Sequence, residues 1–459
     1  MCPQIATMRA MEDHLLEYAR SAVPRYTSYP TAVQFHERIG SGDYHGWLKE
    51  ITPEKPISLY VHIPFCQSLC WYCGCNTTVP NSYDRVGNYL LALTTEIELV
   101  AENIDREVTV SHLHFGGGTP SYLEPEHFEQ LGALLKNSFN FIDDAELAVE
   151  ADPRTLTPKI IAAFSNSGIS RVSLGVQDFN LEVQELINRI QPEDMVSRCV
   201  TQLKAHGIND INFDLMYGLP GQSIETVKRS AEIAASMMPD RIAVFGYAHV
   251  PWFKKHQRVI RTDLLPDIKQ RMEQADVIAQ TLIENGYIRI GFDHFSQPTD
   301  RLSLAQIQGK LRRNFQGYTT DTAETLVGFG ASSISTTAQG YCQNSPHLGQ
   351  YISKLENREF ATIRGLALGG EDKLRRDAIN TLMCDFSVDM AQVCLSNQRP
   401  CNALDDSLPA LRALEYDGLV QLDKRLVTVT PTGRRFIRNI AACFDQYLQP
   451  DEQKHSLAV

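Results

Sequence analysis

The sequence lacks any long apolar run. No stretch of its 459 residues approaches the roughly 20 consecutive apolar residues that a membrane-spanning helix needs. The first 20 residues carry acidic side chains and contain no apolar segment of the kind that a signal peptide has. We therefore expect no membrane partner and a cytoplasmic location.

Positive charge is also scarce. Lys and Arg number 43 against 55 Asp and Glu, which gives a formal net charge of −12. An acidic chain argues against nucleic acid or an anionic membrane surface as the main partner. A polyanionic small molecule is compatible with this charge only where cationic side chains converge on it.

Internal repeats and low-complexity segments are absent as well. The composition is that of a folded protein, with 43% apolar and 21% charged residues. The length exceeds that of one typical domain and suits a barrel-sized catalytic domain with smaller pieces. We divide the chain into an N-terminal arm (1–50), a catalytic barrel with an extension (51–365) and a helical C-terminal domain (366–459).

A regular alternation of strand-like and helix-like segments begins near residue 57. The six β-like segments are 57–63, 110–115, 146–150, 170–176, 211–217 and 241–247. Amphipathic stretches lie between most of them, and the clearest are 85–105, 181–206 and 223–238. The alternation predicts an α/β fold of parallel β–α–β units with right-handed crossovers. Spacing alone leaves two architectures open, a full or partial TIM-type barrel and an open doubly wound sheet.

The two ends of the chain lack this alternation. Residues 24–31, PRYTSYPT, contain two prolines and two tyrosines and have no helical period, which indicates an ordered loop that packs over another part of the protein. The arm that contains them looks irregular. From about residue 370 a helix precedes a helix, a hairpin and a helix, an order that resembles a winged-helix-like module. We prefer a packing or lid role for this module to DNA binding, because the chain is acidic.

Cysteine is the residue whose distribution is most informative. Of eleven cysteines, Cys66, Cys70, Cys73 and Cys75 fall within ten residues, and the other seven are scattered singly. Disulfides are rare in the cytoplasm, so we interpret the scattered cysteines mostly as small buried apolar residues. A structural zinc site would need a second pair of cysteines at a distance, and no such pair follows.

The spacing C-x3-C-x2-C over Cys66, Cys70 and Cys73 places three thiolates on one tight loop. Three thiolates can bind three irons of a [4Fe–4S] cluster and leave the fourth iron open. The amino and carboxylate groups of S-adenosylmethionine (SAM) can chelate that iron, and one electron then cleaves the sulfonium bond to give a 5′-deoxyadenosyl radical. The alternative is that Cys75 closes the cluster, which would make it an electron-transfer centre.

Glycines and polar side chains follow the other predicted strands. Gly116–Gly118 have no Cβ atoms, so a ligand such as the methionine part of SAM can approach their backbone closely. Glu150 ends the third strand, where a carboxylate can accept hydrogen bonds from ribose hydroxyls. Gln177, Arg189 and Asp214 lie at or beyond later strand ends and can hold polar ligand groups. In both candidate architectures the site lies at the carboxyl ends of the strands.

The sequence resembles the oxygen-independent coproporphyrinogen III oxidases, a family of radical-SAM enzymes. The resemblance covers most of the chain and is carried by PRYTSYPTA (24–32), YVHIPFC…CWYCGCN (60–76), GGGTP (116–120), GVQDFN (175–180), NR (188–189), DLMYGLP (214–220), YAHVP (247–251), GFDHF (291–295), RNFQGYTT (313–320) and FIRNIAACFDQYL (436–448). It implies a partial (β/α)6 TIM-type barrel with a mostly helical C-terminal domain, and so favours the barrel over the open sheet.

The resemblance also implies an activity. The ring A and ring B propionates of coproporphyrinogen III would lose CO₂ and become vinyl groups, giving protoporphyrinogen IX in anaerobic haem biosynthesis. One [4Fe–4S] cluster, two SAM molecules, a one-electron donor and an electron acceptor would take part, and we expect a monomer. A second hypothesis is a haem-binding chaperone of the same superfamily. Such relatives usually lack the fourth cysteine and the PRYTSYP arm, so Cys75 and residues 24–30 favour the enzyme.

The ligand sets follow from the same resemblance. The cluster would be held by Cys66, Cys70 and Cys73, and not by Cys75. The first SAM would contact Tyr60, Gly117, Glu150 and Ile334, and the second Tyr72, Gly118, Thr119, Gln177, Arg189, Asp214 and Ala248. The substrate has four carboxylates, for which we expect Arg25, Arg312 and Arg313, although Arg312 stands where close relatives would have His. No protein general base is expected, and no catalytic residue beyond the cluster and SAM.

Overall fold

The fold is taken from a computed structural model that describes residues 14–448. The expectation that the N-terminus has no signal-peptide character therefore falls largely on residues outside the described range. The same holds for the first part of the predicted arm, the end of the predicted C-terminal domain and one scattered cysteine, Cys2.

Six parallel strands form the centre of the protein. They are β1 (Ile57–Ile63), β2 (Thr109–Gly117), β3 (Asn140–Ala151), β4 (Arg171–Gln177), β5 (Asp210–Tyr217) and β6 (Arg241–Gly246). Each pairs in parallel with the next along the chain. The predicted strands are confirmed to within a residue or two, except that β3 begins earlier. Their β–α–β order is that of a partial TIM-type barrel, which is the predicted architecture.

Further strands extend both edges of this arc. On the side of β6 lie β7 (Ile288–Ile290) and β8 (His294–Ser296), and a separate hairpin is formed by β9 (Arg312–Asn314) and β10 (Gly317–Thr319). On the side of β1 lie β11 (Leu326–Phe329), β12 (Ile334–Thr336), β13 (Gly340–Asn344) and β14 (Thr362–Ala367). Because β1 pairs with β11 and β6 pairs with β8, the barrel does not close between β1 and β6.

Two helices lie in the arm, and the others lie between or after the strands of the arc. They are α1 (14–20, as far as it is described), α2 (Ser41–Lys49), α3 (Asp84–Ala101), α4 (Pro125–Ser138), α5 (Pro158–Asn166), α6 (Leu181–Leu186), α7 (Glu193–Ala205), α8 (Ile224–Ser236), α9 (Ile268–Glu284), α10 (Arg301–Ile307) and α11 (Leu348–Glu356). The apolar side of α3 is buried except for the half-buried Leu90, as its 3–4 spacing predicts. Among the described residues, no helix combines the length and the apolar character that crossing a bilayer requires.

The prediction of one amphipathic stretch over 181–206 is wrong in one respect. The structure has two helices there, α6 and α7, separated by residues 187–192. Asn188 has a left-handed backbone with φ of 55°, which ends α6, and Pro192 precedes α7 because a proline inside a helix removes a backbone donor. The break presents Arg189 to the cysteine loop.

The arm is not irregular throughout, since it contains α1 and α2. The segment 24–31 is an ordered loop, as predicted. Tyr26 and Tyr29 are each only 1% exposed. The Tyr26 hydroxyl donates to Asp445 at 3.0 Å, and the Tyr29 hydroxyl accepts from the Gln446 amide at 3.0 Å. These contacts join the arm to the C-terminal part of the chain.

The C-terminal part contains α12 (Gly370–Asp385), β15 (Ser387–Asp389), α13 (Met390–Ser396), α14 (Leu408–Tyr416), β16 (Val420–Asp423), β17 (Leu426–Val429) and α15 (Ile437–Ala442). The three strands form a small antiparallel sheet in the order β15–β17–β16. The helix–hairpin–helix order is that of the predicted winged-helix-like module. The boundaries drawn at residues 50 and 365 stay a prediction.

The scattered cysteines are mostly buried, as interpreted from the sequence. Cys199, Cys342, Cys384 and Cys394 are buried, whereas Cys443 is half-buried and Cys401 is exposed.

Candidate active site

The loop that follows β1 carries the clustered cysteines. Its two ends are joined because the Cys66 amide donates to the Thr78 carbonyl at 3.0 Å and the Thr78 amide donates to the Pro64 carbonyl at 2.8 Å. The Cys66 sulfur lies 3.0 Å from the Thr77 hydroxyl and 3.3 Å from the Thr119 hydroxyl. Two hydroxyl groups therefore face this sulfur.

Cys70 lies beside two arginines. Arg154 Nη2 donates to its sulfur at 3.3 Å and Arg189 Nη1 at 3.4 Å. Asp152, which is 6% exposed, accepts from the same two guanidinium groups at 2.6 and 2.9 Å. Burial alone would raise the pKa of Asp152, but Arg189 and Arg154 hold it below its usual range. The three charged groups form a compact unit against one sulfur.

Cys73 and Cys75 are held by the segment that follows β6. Lys254 donates to the Cys75 carbonyl at 2.9 Å, His256 Nε2 lies 2.8 Å from the Cys73 carbonyl, and Gln257 donates to the Tyr72 carbonyl at 2.9 Å. The Cys75 amide lies 3.4 Å from the Cys73 sulfur. Hydrogen bonds from Cys75, opposed by burial, lower the pKa of Cys73 to about 6.

The donor set fits a group that needs three thiolates. Each of the three predicted ligand sulfurs has an N–H or O–H group within reach, and such donors stabilise sulfur that carries negative charge. Across residues 14–448, no group of three or more His, Cys, Asp or Glu side chains is placed so that it could hold a single metal ion.

The three consecutive glycines are needed because a Cβ at any of them would clash with another part of the protein. The sequence had instead suggested that they leave room for a ligand. A Cβ on Gly116 would lie 2.8 Å from Glu150 Oε1, one on Gly117 2.7 Å from the His62 ring, and one on Gly118 2.6 Å from the Thr77 hydroxyl oxygen. The Gly117 amide donates to Glu150 at 3.2 Å and the Gly118 amide to the Ile63 carbonyl at 2.8 Å. The glycines thus bring β1, β2 and β3 together, and two of their amides are already used within the protein.

Glu150 lies at the centre of a polar network. His114 Nε2 is 3.1 Å from its Oε1 atom, and the His114 ring stacks on Tyr60 at 6.0 Å between ring centroids. The Tyr60 hydroxyl lies 3.1 Å from His62 Nδ1. Burial would raise the pKa of Glu150, but His114 and the Gly117 amide lower it, so the carboxylate is ionised. Its side chain is 41% exposed and can accept further hydrogen bonds.

The predicted residues of β4 and β5 lie farther along the arc. Arg189 donates to the Gly175 carbonyl from Nε at 3.1 Å and from Nη2 at 2.6 Å. A Cβ on Gly175 would be 2.8 Å from Gln177 Nε2 and would also contact Arg189. The side chains of Gln177 and Arg189 therefore meet at this glycine. Asp214 accepts from Ser173 at 3.1 Å and Asn212 at 2.9 Å, and burial followed by repulsion from Glu150 raises its pKa to about 6.

Ala248 and Ile334 are connected to the site through the backbone. The Ala248 carbonyl accepts from Gln257, whose amide also holds Tyr72. Ile334 begins β12 and faces Gly328, which is paired with Tyr60 on β1.

The three predicted substrate arginines are not all together. Arg313 Nη2 donates to the Arg25 carbonyl at 3.4 Å, so these two are neighbours. Arg312 is exposed and donates to its own neighbour, the Leu311 carbonyl. The structure therefore places Arg312 apart from the pair.

Several residues of the site were not singled out from the sequence. They are His62, Thr77, His114, Asp152, Arg154, His256 and Gln257. Asp152 and Arg154 come just after β3, and a polar pair at the end of a parallel strand is a signal that could have identified them. His256 and Gln257 carried no local signal.

Comparisons with known proteins agree with this geometry. Residues 60–234 match the family model of the radical SAM superfamily. The chain is 46% identical to the oxygen-independent coproporphyrinogen III oxidase of Bradyrhizobium diazoefficiens over 98% of this chain and 100% of the relative. It is 41% identical to the enzyme of that name from Escherichia coli K12, over 93% of each chain.

A solved structure shows the same relationship. The coproporphyrinogen III oxidase (HemN) of Escherichia coli, a radical SAM enzyme, superposes with a TM-score of 0.89 at 39% identity. The match covers 93% of this chain and 100% of the other.

Proposed function

The chain belongs to the oxygen-independent coproporphyrinogen III oxidases of the radical SAM superfamily, and on that premise we propose that it converts coproporphyrinogen III to protoporphyrinogen IX. The propionates of rings A and B become vinyl groups in this reaction. The relatives carry the name of the enzyme, so the haem-chaperone hypothesis is not favoured.

The observation that carries the proposal is the environment of the three thiols. Cys66, Cys70 and Cys73 lie on one loop, and each has a hydrogen-bond donor at its sulfur. We assign them as the protein ligands of a [4Fe–4S] cluster. When bound together, the cluster and SAM supply a carbon-centred radical that can remove a hydrogen atom from an unactivated C–H bond.

For the first SAM we propose Tyr60, Gly117, Glu150 and Ile334. Glu150 is ionised and fixed by His114 and the Gly117 amide, so its remaining lone pairs can accept from two ribose hydroxyls. Because the Gly117 and Gly118 amides are used, the glycine segment would offer carbonyl oxygens to the amino group of SAM.

A second SAM is proposed for Tyr72, Gly118, Thr119, Gln177, Arg189, Asp214 and Ala248. Arg189 is already bonded to Asp152 and to the Gly175 carbonyl, so its geometry is fixed before any ligand arrives. Asp214 would accept from an amine or a hydroxyl. We therefore propose that two SAM molecules bind, and not one.

The reaction requires few chemical groups from the protein itself. Each propionate loses a hydrogen atom from its β-carbon to the radical, then loses CO₂ and passes one electron to an acceptor as the alkene forms. No side chain has to remove a proton in that sequence. A one-electron donor and a one-electron acceptor are required, and the expected monomer, the cytoplasmic location and the absence of a nucleic-acid or membrane partner stay predictions.

The proposal is tested by anaerobic turnover. Reconstituted protein is incubated with coproporphyrinogen III, SAM and a low-potential reductant, and tetrapyrroles are separated after oxidation. Protoporphyrin IX and released CO₂ are expected, with no product when SAM is omitted. Tight haem binding and transfer to an acceptor protein, without any protoporphyrin, would support the chaperone instead.

A further inference from the structure

Six arginines meet where the β6–β8 edge of the arc contacts the arm and the C-terminal part of the chain. We call Arg25, Arg271, Arg289, Arg313, Arg434 and Arg438 the arginine cluster, since each is close enough to another member to act on it electrostatically. Two of its members, Arg25 and Arg313, were expected from the sequence, and the others were not.

Backbone carbonyls of the arm tie the first part of the cluster together. Arg25 Nη2 donates to the Gly246 carbonyl at the end of β6 at 2.9 Å, and Arg438 Nε donates to the Pro24 carbonyl at 2.9 Å. Arg313 Nη2 donates to the Arg25 carbonyl. Guanidinium groups from the arm, the β9–β10 hairpin and α15 therefore surround residues 24–25.

The segment GFDHF (291–295) holds the second part. Arg434 Nη2 donates to the Gly291 carbonyl and Arg289 Nη2 to the Phe292 carbonyl, each at 2.9 Å. Arg313 lies over the Phe292 ring at 5.0 Å. These contacts are to neutral carbonyl oxygens and aromatic rings, so they position the guanidinium groups without neutralising them.

Arg313 is the member with the most unused hydrogen-bonding capacity. Its side chain is only 3% exposed, and its Nε and Nη1 atoms have no hydrogen-bond partner among the described residues. The nearest carboxylate, Asp293 Oδ1, is 4.0 Å from Nη1 and is bonded to His294 Nδ1 at 2.6 Å. Arg289 Nε is also buried without a partner. Buried donors of charged groups are costly to leave without a hydrogen bond, so a ligand that brings acceptor oxygens to Arg313 would be bound favourably.

Burial and neighbouring arginines shift the pKa values of two further members. Burial, and then the neighbouring Arg289, lower the pKa of Arg434 to about 10. Burial, and then the neighbouring Arg25, lower the pKa of Arg438 to about 9. Both groups still carry their charge at neutral pH, and each feels the repulsion of another arginine.

We propose that the arginine cluster, centred on Arg313 and Arg25, binds the carboxylates that the substrate keeps, which are the propionates of rings C and D. The proposal rests on the proposed function for the identity of the ligand. The cluster adjoins the end of β6, where Arg25 donates to the Gly246 carbonyl, and Gly246 stands two residues before the proposed SAM contact Ala248. Carboxylates bound there are anchors beside the cofactor site, which suits the two propionates that are not lost as CO₂. The C-terminal domain, through Arg434 and Arg438, is then part of the substrate site.

Binding of stable porphyrins to the cluster-loaded protein tests this inference. Coproporphyrin III carries all four propionates, and mesoporphyrin IX carries only those of rings C and D. Both are expected to bind, as measured by fluorescence titration at fixed ionic strength, whereas mesoporphyrin dimethyl ester is not. Arg25→Gln and Arg313→Gln are each expected to raise Kd for both acids by about tenfold or more, since each removes a charged hydrogen-bonding partner.

Arg435→Gln is the matched control. Arg435 adjoins Arg434 but pairs with Asp276 on the surface, so its loss should leave Kd unchanged. Unaltered binding in both Arg25→Gln and Arg313→Gln overturns the inference. If Arg313→Gln lowers the melting temperature, Arg25→Gln decides alone, because Arg25 is exposed.

Failure of the inference is distinguishable from failure of the proposed function. If the enzyme turns over but the porphyrin Kd values do not depend on these arginines, the proposed function holds and the cluster has no role in binding. If coproporphyrin III and mesoporphyrin IX bind in an arginine-dependent way but there is no turnover, the cluster's role holds and the proposed function fails.

Discussion

The region beside the cysteine loop, here called the cofactor end, and the arginine cluster use arginine in opposite ways. Beside the cysteine loop, Arg154 and Arg189 share Asp152 at 2.6 and 2.9 Å. In the arginine cluster, Arg313 keeps two buried nitrogens without a hydrogen-bond partner, and Asp293 is 4.0 Å away. At the cofactor end one carboxylate bonds both guanidinium groups directly, whereas Asp293, the carboxylate nearest to Arg313, is bonded to His294 and leaves two Arg313 nitrogens for a ligand.

This difference separates stability from binding. Removal of a carboxylate from the cofactor end should leave buried charges uncompensated and destabilise the fold. Removal of an arginine from the cluster should instead weaken ligand binding, because the buried nitrogens of Arg313 have hydrogen-bonding capacity that the described residues do not use.

The largest expected effect is the loss of function at the cofactor end with no loss of binding at the arginine cluster. Cys70→Ser should abolish both the [4Fe–4S] cluster and turnover, because it removes one of three ligand thiolates. Porphyrin binding at the arginine cluster should survive. Iron and sulfide content, together with the visible absorbance of the cluster, measures the first effect.

Cys75→Ser is the control for that variant and should keep its cluster. Full cluster absorbance in Cys70→Ser would contradict the ligand assignment, and loss of iron in Cys75→Ser would add Cys75 to the ligand set.

Asp152→Asn tests the matched charges. The change leaves Arg154 and Arg189 without their carboxylate, and breaking a buried pair of this kind costs about 3–5 kcal/mol. Asp276→Asn, which breaks the surface pair with Arg435, should cost about 0–1 kcal/mol. Chemical denaturation of both variants measures the difference, and equal costs would show that the cofactor end does not depend on its ion pairs.

Asp214 sharpens the comparison within the cofactor end, because it is a buried carboxylate without an arginine. Its pKa is raised from 3.8 to about 6, so the folded protein holds this proton more tightly than the unfolded chain does. The group therefore becomes destabilising as pH rises from about 4 to about 6, by about 3 kcal/mol in total.

Asp214→Asn removes that dependence. The stability of this variant relative to the original protein should rise between pH 4 and pH 7, when both are unfolded without SAM. A relative stability that stays flat across this range would show that Asp214 titrates normally.

The smallest expected effect concerns the glycines. Gly116→Ala would place a methyl group 2.8 Å from Glu150 and should weaken SAM binding by about 1–3 kcal/mol through overpacking. Gly87→Ala on α3 meets no atom within 4 Å and should stabilise the helix by about 0.5–1 kcal/mol. Calorimetric SAM titration and thermal melting check the two changes, and unchanged SAM affinity in Gly116→Ala would refute the steric argument.

Much of the barrel was predictable, because buried parallel strands and amphipathic helices have local patterns. The six strands and the cysteine spacing are read directly from neighbouring residues. The break at residues 187–192 was missed, because the apolar spacing continues across it even though α6 ends at Leu186 and α7 begins only after Pro192.

The arginine cluster was only partly predictable, because it depends on distant contacts. Arg438 and Pro24 are 414 residues apart in the chain and joined by one hydrogen bond. Most surface arginines are solvated, so no spacing rule distinguishes Arg289, Arg434 or Arg438 from them. Resemblance pointed to Arg313 and also to Arg312, whose side chain the β9–β10 hairpin places elsewhere.

The central claim is that the cluster keeps one iron free for SAM. The most direct measurement is the electron paramagnetic resonance spectrum of the reduced, reconstituted protein with and without SAM. We expect SAM to shift the g-values of the cluster signal, as binding at an open iron requires. An unchanged spectrum, from a cluster closed by a fourth side chain, would contradict the account.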